Sequence, residues 1–178
     1  MKKLSWKNIA AVCGACLFLF TMPAHAELIN FDVFNTSTND VMVPDGYDNL
    51  QWDNFYTTNG ATFGGSGYHA GVISKNNVAY NSYGDPADIF VASGSFKPVM
   101  AFFTAAWNDN LQLEIKGYLN GRLVFNKTFT LSATKPTPIV FGVRVDTLDF
   151  RSYGGTPHLA YHNTSHYQFA MDSFIVNP

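Results

Sequence analysis

The chain has 178 residues, of which 47% are hydrophobic, 16% aromatic and 13% charged, and its formal net charge at pH 7 is −2. So few charged residues disfavour a helix bundle with a surface of Glu and Lys, and the many aromatic residues indicate a surface rich in Tyr and Phe. A sequence without a basic excess is a poor match for nucleic acid, so we expect no nucleic-acid partner.

The first 26 residues are typical of a cleaved signal peptide. Three lysines precede an apolar run at residues 10–20, and Ala24-His25-Ala26 places small residues at the two positions that a signal peptidase reads. This run is shorter than the roughly 18 residues that a membrane-spanning helix needs, so we expect cleavage after Ala26 and no membrane span. We therefore predict a secreted protein, exported through the periplasm to the extracellular space, with a single domain over residues 27–178.

Removal of this leader changes the chemistry available to the domain. Both cysteines, Cys13 and Cys16, lie in the leader, so the exported chain would have neither a disulfide nor a thiol nucleophile. Eight Lys and Arg and thirteen Asp and Glu remain, which gives a formal net charge of −5. The domain must therefore be held by its hydrophobic core, for which residues 27–178 are long enough.

Short strand-like segments separated by turn residues follow along the chain. Residues 28–34 (LINFDVF) alternate apolar and polar side chains, with Asn30 and Asp32 on the polar side, which is the pattern of a half-buried strand. Residues 43–55 combine a Pro-Asp-Gly turn with a short strand that carries Trp52. Both segments predict β-structure near the beginning of the exported domain.

The middle and the end of the chain continue this pattern. Residues 59–67 contain four glycines and predict a long loop, whereas the nearly continuous apolar residues 98–107 predict a central strand covered on both faces. Residues 167–176 predict the last strand. No window shows the periodicity of an amphipathic helix, and strands recur about every ten residues between turn residues, so the sequence predicts an all-β, antiparallel β-sandwich.

The clearest supersecondary signal is a β-hairpin at residues 111–131, where Asn120-Gly121 separates two strand-like segments. A two-residue turn would pair Leu119 with Arg122 and mix apolar with polar side chains on each face. A three-residue loop over residues 119–121 pairs Tyr118 with Arg122 and aligns the apolar side chains. We therefore predict the three-residue loop.

Five segments together resemble a known group of proteins: residues 43–55, 77–81, 107–109, 117–121 and 169–172. They are similar to secreted bacterial proteins, many with PEP-CTERM sorting tails, whose single domain is a jelly-roll β-sandwich of the carbohydrate-binding-module type. The resemblance covers essentially the whole exported chain and implies a carbohydrate-binding jelly roll. Because the chain ends soon after Asp172, without room for a sorting tail, it also resembles the small type II secretion substrates of Legionella-like pathogens.

The resemblance further implies a structural calcium ion where the first and last strands meet. Calcium prefers about six to eight oxygen ligands, which carboxylates, amides and carbonyl groups supply. The alternative is that Asp32 and Asp172 are ordinary solvated or turn-capping acids. The expected ligands are Asn30 and Asp32 of the first strand, Asp48 of the loop at residues 46–50, and Asp172 of the last strand.

Aromatic side chains are the candidates for sugar recognition, because sugars combine apolar ring faces with hydroxyl groups. Trp52 and Trp107 lie among apolar residues in strands, which favours a core position for both. Tyr68 and Tyr83 lie in Gly-rich loops and are expected to be exposed. The predicted ligand-binding residues are Tyr47, Tyr56, Tyr68, Tyr83, Trp107 and Tyr118.

His158, His162 and His166 recur every four residues, a spacing that a metal site could use. The neighbouring glycines and Pro157 favour a flexible loop instead, with a transition-metal site as the alternative.

Catalytic motifs are lacking in the exported chain. Besides its aspartates it contains only Glu27 and Glu114, and it has no nucleophile elbow, zinc-protease motif or phosphate loop. We therefore predict a secreted, non-catalytic protein that binds carbohydrate or glycosylated surfaces. The alternatives are an effector or adhesion protein that binds a host or matrix protein, and a small glycoside hydrolase with two acids in a cleft.

Overall fold

The computed structural model describes residues 25–37, 39–161 and 166–178. Residues 1–24 of the predicted signal peptide lie outside the described residues. The elements in chain order are β1 (Glu27–Ile29), β2 (Val41–Met42), β3 (Gln51–Asp53), β4 (Phe55–Asn59), the short helix α1 (Gly67–Ala70), β5 (Asn77–Asn81), β6 (Ala87–Phe90), β7 (Lys97–Ala105), β8 (Asn108–Asp109), β9 (Leu111–Leu119), β10 (Arg122–Leu131), β11 (Thr137–Val140), β12 (Thr147–Tyr153), β13 (Thr156–Pro157) and β14 (Phe169–Asn177), with 3-10 turns at Tyr47–Asn49, Gly60–Thr62 and Ser82–Gly84.

Two antiparallel sheets form the sandwich. The seven-stranded sheet has the order β11-β7-β14-β5-β4-β2, with β1 also paired to β14, and the five-stranded sheet has the order β10-β9-β12-β6-β3. A short ladder joins β13 to β8. The first and last strands therefore meet in the larger sheet, and the predicted all-β, antiparallel sandwich is confirmed. Among the described residues, no helix is long and apolar enough to cross a membrane.

The core lies between the inward faces of the two sheets, because side chains alternate between the faces of a strand. Trp52 is 4% exposed and packs edge-to-face on Phe55, with 5.4 Å between ring centroids. Its Nε1 donates to the Tyr47 carbonyl oxygen at 3.0 Å, so Trp52 is a core anchor, as its sequence context favoured. The fully buried phenylalanines of this core are Phe31, Phe55, Phe103, Phe150, Phe169 and Phe174.

The first strand is shorter than the alternation of residues 28–34 predicted. It ends at Ile29, because the Asn30 side chain accepts a hydrogen bond from the Asp32 N–H at 3.2 Å and turns the backbone. Beyond this turn the alternation fails, and Val33 is 71% exposed. Asn30 and Asp32 therefore lie in a turn and not on one face of a strand.

The hairpin of β9 and β10 has a two-residue turn, so the predicted three-residue loop is wrong. Leu119 pairs with Arg122, and both Asn120 (φ 52°) and Gly121 (φ 73°) adopt the left-handed backbone that a type I′ turn requires. The register then shifts by one residue at Val124, which is a β-bulge. This bulge, and not a longer loop, brings the apolar side chains of the two strands into line.

Candidate functional site

The six aromatic side chains predicted to bind a ligand lie in four separate places. Tyr47 is half-buried against Phe34, and its hydroxyl donates to the carbonyl oxygen of Asn30. Tyr83 is 80% exposed at a turn, as predicted. Tyr118 lies on the outward face of the five-stranded sheet. The remaining three lie together on the outer side of the seven-stranded sheet: Tyr56, Tyr68 and Trp107.

Tyr68 is only 4% exposed, so the prediction of an exposed ring is wrong. Gly67 permits this burial, because a Cβ at that position would lie 1.7 Å from the Ala105 carbonyl oxygen, and α1 therefore approaches β7 closely. The Tyr68 ring packs edge-to-face on Trp107 at 5.5 Å, and burial raises the pKa of Tyr68. Trp107 donates from Nε1 to Gln168 Oε1 at 2.9 Å. Both rings therefore have structural roles in a second, smaller core.

Two of the predicted calcium ligands cap the segment of residues 73–77. Asp32 accepts hydrogen bonds from the N–H groups of Asn76 at 2.9 Å and Asn77 at 3.1 Å. Burial alone would raise the pKa of Asp32, but these hydrogen bonds prevail and lower it. Asp172 accepts from the N–H groups of Ile73 and Ser74, each at 2.7 Å, yet its deeper burial prevails and raises its pKa.

The four predicted ligands do not form a set that fits calcium. The carboxylates of Asp32 and Asp172 and the amide oxygen of Asn30 face N–H donors, and Asp48 lies apart, beside Glu27. Burial raises the pKa of Asp48 against an opposing hydrogen bond from the neighbouring tyrosine. Within the described parts of the chain, no group of three or more His, Cys, Asp or Glu side chains is placed to hold a metal ion. Calcium binding stays a prediction.

Of the three predicted histidines, His162 lies outside the described residues. His158 donates from Nδ1 to Asp109 Oδ2 at 2.6 Å and packs against the tilted ring of Tyr161, with 4.4 Å between ring centroids. His166 is half-buried and lies before β14. His158 therefore orients a carboxylate.

The outward face of the five-stranded sheet brings together polar and aromatic side chains, and we call it the platform. Strand alternation creates it: in β9, Leu111, Leu113 and Ile115 point into the core, and the residues between them point outwards. The same alternation applies along β3, β6 and β12. The platform residues are Gln51, Asp53, Asp88, Phe90, Gln112, Glu114, Lys116, Tyr118, Leu123, Asn126, Thr128, Thr130, Thr147, Asp149, Arg151 and Tyr153.

Three aspartates are direct cross-strand neighbours on the platform. Asp53 pairs with Asp88, Asp88 pairs with Asp149, and Asp149 pairs with Lys116. Burial, followed by the charges of Asp149 and Asp53, raises the pKa of Asp88. Like charges directly opposite each other destabilise a sheet by about 0.2–1 kcal/mol. A row of acids that destabilises the sheet is typical of residues retained for function.

The neighbouring rows of the platform add cations and aromatic rings. Arg151 lies opposite Glu114, which forms a 3.1 Å salt bridge with Lys116. Tyr118 is half-buried near one end of β9, and Tyr153, which is 46% exposed, lies towards the other end. The platform thus offers charged groups of both signs and amides between two tyrosines.

A polar cleft of about 330 Å³ adjoins the platform where β10 ends. Thr130 belongs to both, and Gln112 of the platform donates from Nε2 to the Asn110 carbonyl oxygen at 2.8 Å. The cleft is lined by Asp109, Asn110, Thr130, Leu131, Ser132, Lys135 and Thr137.

Sequence reasoning missed the aspartate row and the cleft. Asp53, Asp88 and Asp149 come from three strands that are far apart in the chain, and only the strand order places them side by side. The available signal was the outward position of each aspartate in its own alternating strand.

Comparison with known proteins gives a fold and no family. No protein-family model and no curated protein matches the chain. Among solved structures, a DUF4465 family protein from Bacteroides ovatus ATCC 8483 is similar, with a TM-score of 0.51, 8% identity and coverage of 89% of this chain and 91% of that chain. Two mutants of the CBM29-2 carbohydrate-binding module are similar at a TM-score of 0.42, with 16% and 15% identity and coverage of 87% of this chain and 92% of theirs. At these identities, the likeness to the DUF4465 structure shows the β-sandwich fold alone.

Proposed function

We propose that the protein is a non-catalytic binding protein that recognises a neutral carbohydrate on the platform. The observation that carries this proposal is the set of acids, amides and cations between Tyr118 and Tyr153. Sugar hydroxyls both donate and accept hydrogen bonds, so they require such a mixture, and apolar sugar faces stack on aromatic rings. Four inter-strand spacings give the platform a width of about 19 Å, which suits an oligosaccharide better than a single sugar.

The charge of the platform favours one class of glycan. The aspartate row and Glu114 outnumber Lys116 and Arg151, so an acidic polysaccharide would be repelled and a neutral one would not. Export by the predicted leader would bring the protein to free glycans or glycosylated surfaces outside the cell. Calcium is not required for this mode of binding.

The paired aspartates serve binding in this mode of recognition. Asp88 and Asp149 project side by side from the same face of one sheet, where both can accept hydrogen bonds from sugar hydroxyls.

Replacing Tyr118 with alanine tests the platform. With binders identified on an array of neutral glycans, we expect Tyr118→Ala to weaken binding about tenfold in titration calorimetry, because one aromatic stack is lost. Tyr56→Ala is the matched control, since Tyr56 is a half-buried tyrosine on the opposite sheet, and it should keep wild-type affinity. A blank array with folded protein, or equal losses in both variants, would contradict the proposal.

A second candidate function, binding of a protein that presents an apolar surface of its own, is favoured by a different observation. On the outer side of the seven-stranded sheet, Leu28, Ile175, Met100 and Val140 are successive cross-strand neighbours. Leu28 is 54% and Val140 is 64% exposed, and contiguous exposed apolar side chains mark interaction surfaces. Val140→Asp should abolish capture of such a partner and leave glycan binding intact. A protein partner that the variant still binds would exclude this row as the contact.

A further inference from the structure

The polar cleft continues the platform along β9. The outward residues of this strand run from Tyr118 through Glu114 to Gln112, and Gln112 is hydrogen-bonded to the backbone of Asn110 at the edge of the cleft. Six residues of strand span about 20 Å. A glycan chain that lies along β9 on the platform therefore reaches the cleft at its end.

Hydrogen bonds from neighbouring segments hold the walls of the cleft in place. The Tyr161 hydroxyl donates to the Ala133 carbonyl oxygen at 2.8 Å, and the Ala105 N–H donates to the Ser132 carbonyl oxygen at 3.0 Å. His158 also fixes the Asp109 carboxylate through their hydrogen bond. Groups that are already ordered lose little entropy when a ligand binds, so the cleft is preorganised.

The chemistry of the cleft matches a sugar unit with several free hydroxyls. Asp109 accepts hydrogen bonds, Lys135 donates them, and the hydroxyls of Thr130, Ser132 and Thr137 can do either. One acid and one amine balance each other in charge, which again favours a neutral sugar. A terminal unit also exposes one more hydroxyl than an internal unit.

We infer that the cleft receives the terminal unit of a neutral glycan whose interior lies on the platform. The segment with Lys135 and Thr137 leads from β10 of the five-stranded sheet to β11 of the seven-stranded sheet, so the cleft lies where the platform ends. A glycan chain that ends there places the additional hydroxyl of its terminal unit among the polar groups of the cleft. This inference rests on the proposed function and adds recognition of chain ends to it.

The test uses cellohexaose, mannohexaose and xylohexaose, each in three forms: free, with a bulky group at the reducing end, and with a bulky group at the non-reducing end. Wild-type protein should bind one blocked form of its preferred hexasaccharide at least about fivefold more weakly than the free form. Lys135→Met should weaken binding of the free form by a similar factor and remove the effect of the blocking group. Lys75→Met is the matched control, because Lys75 is an exposed lysine outside the cleft, and it should behave as wild type.

The outcomes separate the inference from the proposed function. If neither the blocking groups nor Lys135→Met changes the affinity while Tyr118→Ala weakens it, the cleft is not an end-binding site and the platform still is a binding face. An effect of a blocking group that persists in Lys135→Met would also overturn the inference, because the chain end would then lie elsewhere. If no hexasaccharide binds, or if Tyr118→Ala has no effect, both proposals fail.

Discussion

Replacing Asp172 with alanine should destabilise the protein by about 3 kcal/mol. The substitution removes the acceptor for the N–H groups of Ile73 and Ser74, each at 2.7 Å, and for the Ser74 hydroxyl at 3.0 Å. A buried donor that loses its partner costs about 1–3 kcal/mol. Because Ile73 and Ser74 are partly accessible to water, two such losses at the lower end of that range, together with the hydroxyl, give about 3 kcal/mol.

Urea unfolding of Asp172→Ala, monitored by tryptophan fluorescence, measures this loss. For a domain of this size, a loss of about 3 kcal/mol corresponds to a fall of about 6–12 °C in the melting temperature measured by thermal unfolding. Asp85→Ala is the control, because Asp85 is an exposed aspartate at a turn, and its unfolding free energy should stay close to that of wild type. A loss below about 1 kcal/mol in Asp172→Ala would refute the reasoning, because it would mean that water replaces the carboxylate at residues 73–74.

Three further predictions concern acids of the same fold. Burial would raise the pKa of Asp32 but hydrogen bonds lower it, so the Asp32 carboxylate stabilises the fold above about pH 3.8, and this stabilisation is lost as the pH falls through the lowered pKa. Asp32→Asn should therefore reduce the dependence of the unfolding free energy on pH below about pH 4. An unchanged dependence on pH in this range would contradict the prediction. The raised pKa of Asp172 has the opposite effect on the unfolding free energy, which falls as the pH rises from about 3.8 through the raised pKa. The predicted calcium binding can be tested with EDTA: a fall in the melting temperature that added calcium reverses would support it, and an unchanged melting temperature, which the N–H donors facing the expected ligands favour, would contradict it. Asp88→Asn should raise the unfolding free energy by about 0.2–1 kcal/mol, because it relieves repulsion from Asp53 and Asp149, and it should weaken glycan binding. A variant that is less stable than wild type, or that binds glycan as well as wild type, would argue against a functional aspartate row.

The fold could be predicted from the sequence because β-structure leaves a local pattern. Alternating segments between turn residues predicted the antiparallel sandwich, and the apolar surroundings of Trp52 favoured its place in the core. The alternation of side chains could not predict where side-chain hydrogen bonds and bulges interrupt it. The hydrogen bond from the Asp32 N–H to Asn30 ends the first strand early, and a bulge at Val124 corrects a register that a turn alone would have left mismatched.

The candidate site was harder to predict than the fold, because it depends on pairing between strands that are distant in the chain. Tyr118 was among the predicted ligand residues and lies on the platform. Tyr68 was expected to be exposed because its loop is rich in glycine, but Gly67 allows the helical turn to approach β7 and buries the ring. The alternation within each of the three strands does not reveal that Asp53, Asp88 and Asp149 are neighbours. Only the order of the strands in the sheet shows this.

The most direct test of the central claim compares the glycan affinity of wild type, Tyr118→Ala and Tyr56→Ala by titration with the neutral glycan that binds most strongly on an array. Recognition on the platform predicts a loss of about tenfold for Tyr118→Ala and wild-type affinity for Tyr56→Ala. Wild-type affinity in Tyr118→Ala, or a loss confined to Tyr56→Ala, would contradict the claim and move the binding face to the opposite sheet.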